Sequence, residues 1–443
     1  MTTSAELLAD LVTRARRAGA DAADALLVIG TSLSVARRHG QTEQLQRSEG
    51  QDLGLRVFLG QQAAVVSATD LNPASFDRLV ERALAMARVV PADPFIGLAA
   101  EMSPPDDLDL DLDDGQEPQA AQLIARAQAA EDAARDVPGV TNTEGGDAGY
   151  GRNEVVLATS AGFVGRQTRS SHSISAVALA GEGISMQRDY DYSSAVHFAD
   201  LDDPAAVGRS AGERAVKRMN PTRPKTGKFP VVFDPRVSGS IISHAVGAVN
   251  GSSVARGTSL FKDKMGQRIF APGISIIDDP RRVRGLRSKL FDGEGVRTQR
   301  LAIFEDGILR SWLLDSRSAR QLGLHSTGHA SRGTGGPPAP SGTNLFMTPG
   351  TLSPAELMAD IKEGIYITEL LGGGMNGLTG DYSRGAAGFM IRNGVIAEPV
   401  AEITIAGNGF EIFAHVTPAN DLVFKRGTDA PTLRIEGLTI AGA

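Results

Sequence analysis

Residues 25–70 read ALLVIGTSLSVARRHGQTEQLQRSEGQDLGLRVFLGQQAAVVSATD. Short β-prone runs at 25–30, 32–40, 43–50, 52–59 and 63–70 are punctuated by Gly40-Gln41, Gly50-Gln51 and Gly60-Gln61. That rhythm predicts an antiparallel meander. Helices bracket it. Upstream, Leu7, Leu8, Leu11, Val12 and Ala15 recur at helical spacing, with a stop expected at Ala18-Gly19. Downstream, Asn72 is a good N-cap and Pro73 a good first residue for a helix whose apolar face is Phe76, Leu79, Val80, Ala83 and Leu84.

Further along, SPPDDLDLDLDDGQEP (103–118) is rich in Asp and Pro and predicts an exposed loop. It lacks the Gly and Glu spacing of a calcium loop. A helix over 119–135 follows, then β-prone runs at 140–150, 153–160, 163–180 and 184–198 that predict a second antiparallel sheet. Asp203-Pro204 opens a helix to about Met219, and residues 220–227 (NPTRPKTG) have linker composition. The expectation is therefore an α+β chain of two domains. Residues 1–222 form an N-terminal domain carrying the meander, and 223–443 a strand-rich C-terminal domain. In the latter, FPVVFD (229–234) reads as a buried strand, Val237 to Val249 as an apolar helix, and most of the rest as strands with Gly turns. Ser353-Pro354-Ala355-Glu356 is a capping box that starts a helix over ELMADIKEG.

Composition narrows the function. At 443 residues, with 41% hydrophobic and 22% charged residues, the chain can bury a large core without staples. Its 45 basic and 52 acidic residues give a net charge of −7, so there is no broad cationic field for a nucleic-acid backbone. Cysteine is absent, which removes disulfides, thiolate metal sites and cysteine nucleophiles. The amphipathic start and the lack of a long apolar run predict a cytoplasmic protein with no membrane association.

Ser243-His244-Ala245-Val246-Gly247-Ala248 has the frame of a zinc-protease helix without its side chains. Such a site sets two His one turn apart with a Glu beside the first, and here only His244 remains. His325 and His329 stand four apart, but Gly328 and the following SRGTGGPPAPSG place them in a loop. His39, His172, His197 and His415 are isolated. Val237-Ser238-Gly239-Ser240-Ile241 lacks the last Gly of a nucleophile elbow. Gly372-Gly373-Gly374 lacks the Lys-Ser/Thr of a phosphate loop, and reads as a turn or a close backbone approach.

Several long blocks together resemble the TldD/PmbA family, and its PmbA (TldE) branch in particular. They include LVTRARRAGADAA (11–23), VSATDLNP (66–73) and VVPADPFIGLA (89–99). More specific are GSSVARGTSLFKDKMGQRIF (251–270), the run from Asp278 to Leu324, and GGGMNGLTGDYSRGAAGFMIRNGVIAEPVAEITIAGN (372–408). In the TldD branch a His-Glu-x-x-x-His helix and a later Cys hold zinc. Aligned on Ala245-Val246-Gly247, this chain has Ser243 for the first His, His244 for the Glu and Ala248 for the second His. In the other register His244 takes the first His, but Ala245 and Val249 replace the remaining two.

The resemblance implies a subunit without catalytic residues or metal of its own, pairing with a TldD-like subunit that carries the zinc. Unfolded or leader peptides would be the substrates, and a homodimer could form when the chain is alone. Gly372, Gly373, Gly374, Met375 and Asn376 are expected beside the peptide track. Two other readings stay open: a peptidase active alone through nonstandard ligands such as His325 and His329, or a non-enzymatic scaffold, including a gyrase-linked modulator.

Overall fold

The computed structural model describes residues 3–104 and 106–442. α1 (Ser4–Arg17) starts on a capping box between Thr3 and Glu6 and buries Leu8, Leu11, Val12 and Ala15. Each fully buried Leu there contributes about 1.5–3 kcal/mol. Three strands follow: β1 (Ala22–Arg38), β2 (Gln41–Leu59) and β3 (Gln62–Ala68). α2 (Phe76–Ala87) then closes over them on the apolar face read from the sequence.

The meander therefore has three strands where five short ones were expected. Gly40 and Gly60 take φ of +73° and +55° and turn the chain. Gly50 does not, and lies mid-strand opposite Gly30. A glycine punctuates a strand only where its φ is positive; in extended φ the ladder runs through it.

A second correction concerns the next strands. β4 (Val140–Thr159), β5 (Val164–Ala180) and β6 (Gln187–Ala195) do not make a separate sheet. β4 pairs with β1 along Asp24–Arg37, giving one six-stranded antiparallel sheet of order β3-β2-β1-β4-β5-β6. α3 (Ala120–Arg135) and α4 (Pro204–Lys217) pack on its β4–β6 half.

Beyond β7 (Gly227–Phe233) come α5 (Pro235–Ala248) and α6 (Gly251–Ala255). A largely irregular stretch follows, with β8 (Ile276–Asp278), β9 (Leu301–Glu305), β10 (Ile308–Leu309), α7 (Ser316–Leu322), β11 (Ala330–Ser331), β12 (Ala339–Pro340) and β13 (Leu345–Met347). α8 (Pro354–Met358) keeps its capping box but stops well short of the expected helix. Arg434 takes the Leu357 carbonyl and the Asp360 carboxylate just where another turn would form. The chain then enters β14 (Glu363–Met375), β15 (Asp381–Arg392) and β16 (Val395–Asn408), followed by α9 (Gly409–Ala414), β17 (Val416–Pro418), β18 (Thr428–Asp429) and β19 (Leu433–Ala441).

β14 pairs with β15 and β7, β7 with β19, β19 with β16 and β16 with β15, so these five strands close into a ring. Closure removes most free edges. α5 packs Ile241, Ile242 and Ala245 into the same core as Ile365 and Ile367 of β14.

The acidic segment at 103–118 is irregular as expected, yet it is a strap rather than a free loop. Leu110 and Leu112 are buried. Asp106 pairs with Arg281 and Arg297, Asp111 with Arg284, Asp113 with Arg152 and Asp114 with His172. Charge prevents a segment from burying itself only when no opposite charge meets it. Elsewhere in the interior, Asp24 of β1 is buried against Arg56 of β2 and Arg332, with Glu294 close to Arg56.

Candidate functional site

α5 begins where Asp234 caps it: the side chain accepts from the Arg236 N–H at 2.8 Å, and Pro235 occupies the first turn. The Tyr366 hydroxyl donates to the same carboxylate at 2.8 Å, fixing the helix start to β14. Burial and the neighbouring Asp234 raise the Tyr366 pKa far above the ordinary tyrosine range. Along the helix, Ser238, Ile241, Ile242, Ala245, Val246 and Ala248 are buried while Ser243 and Gly247 are exposed.

The donor set of a metal helix is missing in three dimensions as well. The Ser243 hydroxyl donates back to the Gly239 carbonyl at 3.0 Å, and Ala248 offers no ligand atom. His244 packs edge-on against Tyr382, with ring centroids 5.7 Å apart and planes at 78°. Burial lowers its pKa below 6.5, and Arg384 lowers it further. The Tyr382 hydroxyl is pushed up to about 12 by burial. These residues do not fit zinc. Among the described residues no group of three or more His, Asp or Glu converges as a metal site would require.

The other candidates separate. His325 is exposed and meets Glu101 at 3.0 Å, whereas His329 is buried and donates from Nδ1 to the Thr327 carbonyl at 2.8 Å. The Ser238 hydroxyl donates to the Ala430 carbonyl and the Ser240 hydroxyl to the Val237 carbonyl, so neither serine stands against a base. His39 takes a positive φ beside Gly40 at the β1–β2 turn, His197 meets Asp111 of the strap, and His415 caps α9 through the Glu411 carbonyl.

The glycine run does meet the helix. A Cβ on Gly374 would lie 3.4 Å from the His244 Cε1. Gly372 and Gly373 both take φ +49°, and the β14–β15 register slips between Leu371 and Gly374. A Cβ on Gly373 would lie 2.2 Å from the Ser383 carbonyl oxygen. The glycines thus form a bulge that only residues without a side chain accommodate easily. Met375 packs its thioether against Gly409, and the Asn376 side-chain Oδ1 accepts from the Leu378 and Thr379 N–H groups at 2.9 and 3.2 Å. Met375 ends β14 opposite Tyr382, and Asn376 opens the hairpin turn.

Between α5 and β14 lies a cleft of about 600 Å³, walled on the helix side by Gly239, Ser240 and Ser243 and on the strand side by Thr368, Glu369, Leu370 and Leu371. Sequence reasoning missed these four strand residues, which precede the glycines it singled out. The β7 ladder on β14 ends at Ile367, whose carbonyl accepts from the Asp234 N–H at 2.9 Å. Past that point the α5-facing edge of β14 has no strand partner among the described residues. A free edge beside a helix can receive an extended chain by main-chain pairing.

The strand-rich α+β fold defines the class, and the comparisons make it specific. Family models describe residues 23–87 as PmbA/TldA metallopeptidase domain 1, 113–219 as the central domain and 226–442 as the C-terminal domain. The chain belongs to the PmbA/TldD metallopeptidase family. It is 37% identical to the metalloprotease PmbA of Escherichia coli O157:H7, over 95% of this chain and 92% of that one. It is 32% identical to the PmbA homologue of Haemophilus influenzae, over 97% and 94% of the two chains. A crystal structure from Bacteroides thetaiotaomicron, provisionally described as a modulator of DNA gyrase, matches with a TM-score of 0.92 at 26% identity over the whole of both chains. TldE from Thermococcus kodakarensis shares the fold, with a TM-score of 0.89 at 19% identity over 98% of this chain and all of that one.

Proposed function

We propose that this chain is the peptide-holding, metal-free subunit of a two-subunit zinc metallopeptidase. A TldD-like partner supplies the zinc, the general base and the cut. The observation that carries this reading is the ligand-poor face of α5, where Ser243, His244 and Ala248 replace the two His and the Glu of a metal helix. The free edge of β14 beside it supports a role in holding extended peptides, with the Gly372–Asn376 hairpin at its far end. In this reading residues 1–222 and 223–443 act as two domains of a cytoplasmic protein that binds neither DNA nor membrane. No described helix is long and apolar enough to cross a membrane. Without its partner the chain pairs with itself.

The decisive experiment is peptide cleavage by this chain alone, by the TldD-like partner alone, and by the two mixed. Cleavage that requires the mixture is expected. Zinc-dependent cleavage by this chain alone would overturn the assignment.

A further inference from the structure

We propose that the cleft between α5 and β14 binds an extended acidic peptide segment, paired through its backbone to Thr368–Leu371 and held by Arg287, Arg384 and Arg426. This deepens the peptide-holding role above and rests on it. Five arginines line the cleft: Arg218, Arg236, Arg287, Arg384 and Arg426. Two are already neutralised. Arg218 pairs with Asp189 and Glu369, and Arg236 with Asp189 at 2.8 Å.

The other three make only neutral contacts. Arg287 donates to the Thr428 hydroxyl at 3.3 Å, Arg384 to the Gly372 carbonyl at 3.0 Å and Arg426 to the Pro235 carbonyl at 3.4 Å. Among the described residues none of the three has a carboxylate partner. Asp429, three residues from Arg426, accepts from the Arg426 backbone N–H instead. Three uncompensated cations thus meet in a concave site of a chain whose net charge is −7. Such a site focuses its field on an incoming anion.

The shape selects the kind of anion. The cleft has a free strand edge along one wall, so an added strand would pair there and turn alternate side chains to one face. Serine and threonine hydroxyls line it beside Val237, Leu370 and Leu371, and Thr368 Oγ1 is buried without a hydrogen-bond partner. A nucleic-acid strand would need open aromatic rings for its bases. The aromatic ring lining the cleft is Tyr190, and the Arg236 guanidinium already covers it at 4.6 Å.

The test is fluorescence anisotropy on the full chain alone, using a labelled short peptide of alternating Glu and Val. Its Lys-Val counterpart, a backbone N-methylated Glu-Val version and a single-stranded oligonucleotide are the comparison probes. The Glu-Val peptide should bind most tightly, weaken with salt and lose affinity on N-methylation. The double variant Arg287→Gln/Arg426→Gln should weaken it about tenfold. Ser243→Glu, which removes no arginine and sits at an exposed position, should weaken it as well. Equal binding of the Lys-Val peptide, unchanged binding by both variants, or tighter binding of the oligonucleotide would overturn the proposal. Because no cleavage is read, these outcomes are independent of the mixing experiment that tests the subunit role.

Discussion

The His244 imidazole stands edge-on to the Tyr382 ring at 5.7 Å, and neither the His244 Nε2 nor the Tyr382 hydroxyl has a hydrogen-bond partner. The pair joins the degenerate helix to the hairpin carrying the glycine bulge. It is held by ring packing rather than by polar contacts.

Neutral imidazole should therefore persist in acid. The His244 pKa is lowered from 6.5 by burial and by Arg384. A depressed histidine pKa contributes stability that is present above 6.5 and is lost as pH falls through the lower folded value. The NMR titration midpoint of His244 should lie below 6.5, and His244→Phe should soften the loss of thermal stability on acidification. A midpoint at or above 6.5 would contradict the packing described.

Glu294 should act in the opposite sense. It is buried near Arg56 and Asp292, and burial raises its pKa to about 7. A raised carboxyl pKa contributes stability that is complete below its unfolded value of 4.5 and is lost as pH rises through about 7. Glu294→Gln should gain about 1–3 kcal/mol relative to wild type at pH 8, and little at pH 4.5. Urea unfolding at the two pH values checks it.

Asp24 receives Arg332 at 2.6 Å and Arg56 at 2.9 Å, all three buried. Burial alone would raise the Asp24 pKa, but the two guanidinium groups outweigh it and hold the carboxylate below its ordinary range. Asp24→Asn leaves Arg332 without its carboxylate and Arg56 with Glu294 at 3.8 Å, and should destabilise by about 3–5 kcal/mol. The double variant Asp24→Asn/Arg332→Met should cost less than the sum of the single changes, because the stranded charge is removed with its partner. Chemical denaturation of all three variants measures the coupling.

The glycine bulge makes a graded prediction. Gly373→Val drives a side chain into the Ser383 carbonyl and should destabilise the β14–β15 hairpin, read as faster amide exchange across Leu371–Ser383. Gly372→Ala meets nothing within 4 Å and should cost only about 1 kcal/mol of backbone strain. Equal effects would mean that the close approach, rather than φ alone, had been misjudged.

Rebuilding the helix should not rebuild the site. Ser243→His, His244→Glu, Ala248→His restores the motif in one register, but the chain has no cysteine to serve as the third protein ligand. Ala248 is also buried, so a histidine there must displace its neighbours. Metal analysis should find well below one zinc per chain, and zinc-dependent cleavage should stay absent.

Much of the local structure was legible in the sequence. The Ser353–Glu356 box, the Asn72 and Asp203 caps and the apolar stripes of α1 and α2 each depend on residues within a turn or two of one another. The degenerate motif was equally legible, because a missing ligand is missing in every conformation. Less legible was Gly50, whose dipeptide matches those at Gly40 and Gly60 while the ladder runs through it, opposite Gly30. Nor could the acidic segment reveal its fate, since the arginines that capture Asp106 and Asp111 lie more than a hundred residues away.

The sequence by itself determined the element types, the absence of thiolate and metal-helix ligands, and the likeness of its long blocks to one family. Those properties reside in side-chain chemistry and short-range spacing. Tertiary structure alone decided that β1 and β4 join two runs into one sheet, that five later strands close into a ring, and that Arg287, Arg384 and Arg426 meet beside α5. Strand pairing and charge convergence are set by contacts between distant segments, and the cost of closing long loops leaves no local mark on the residues that meet.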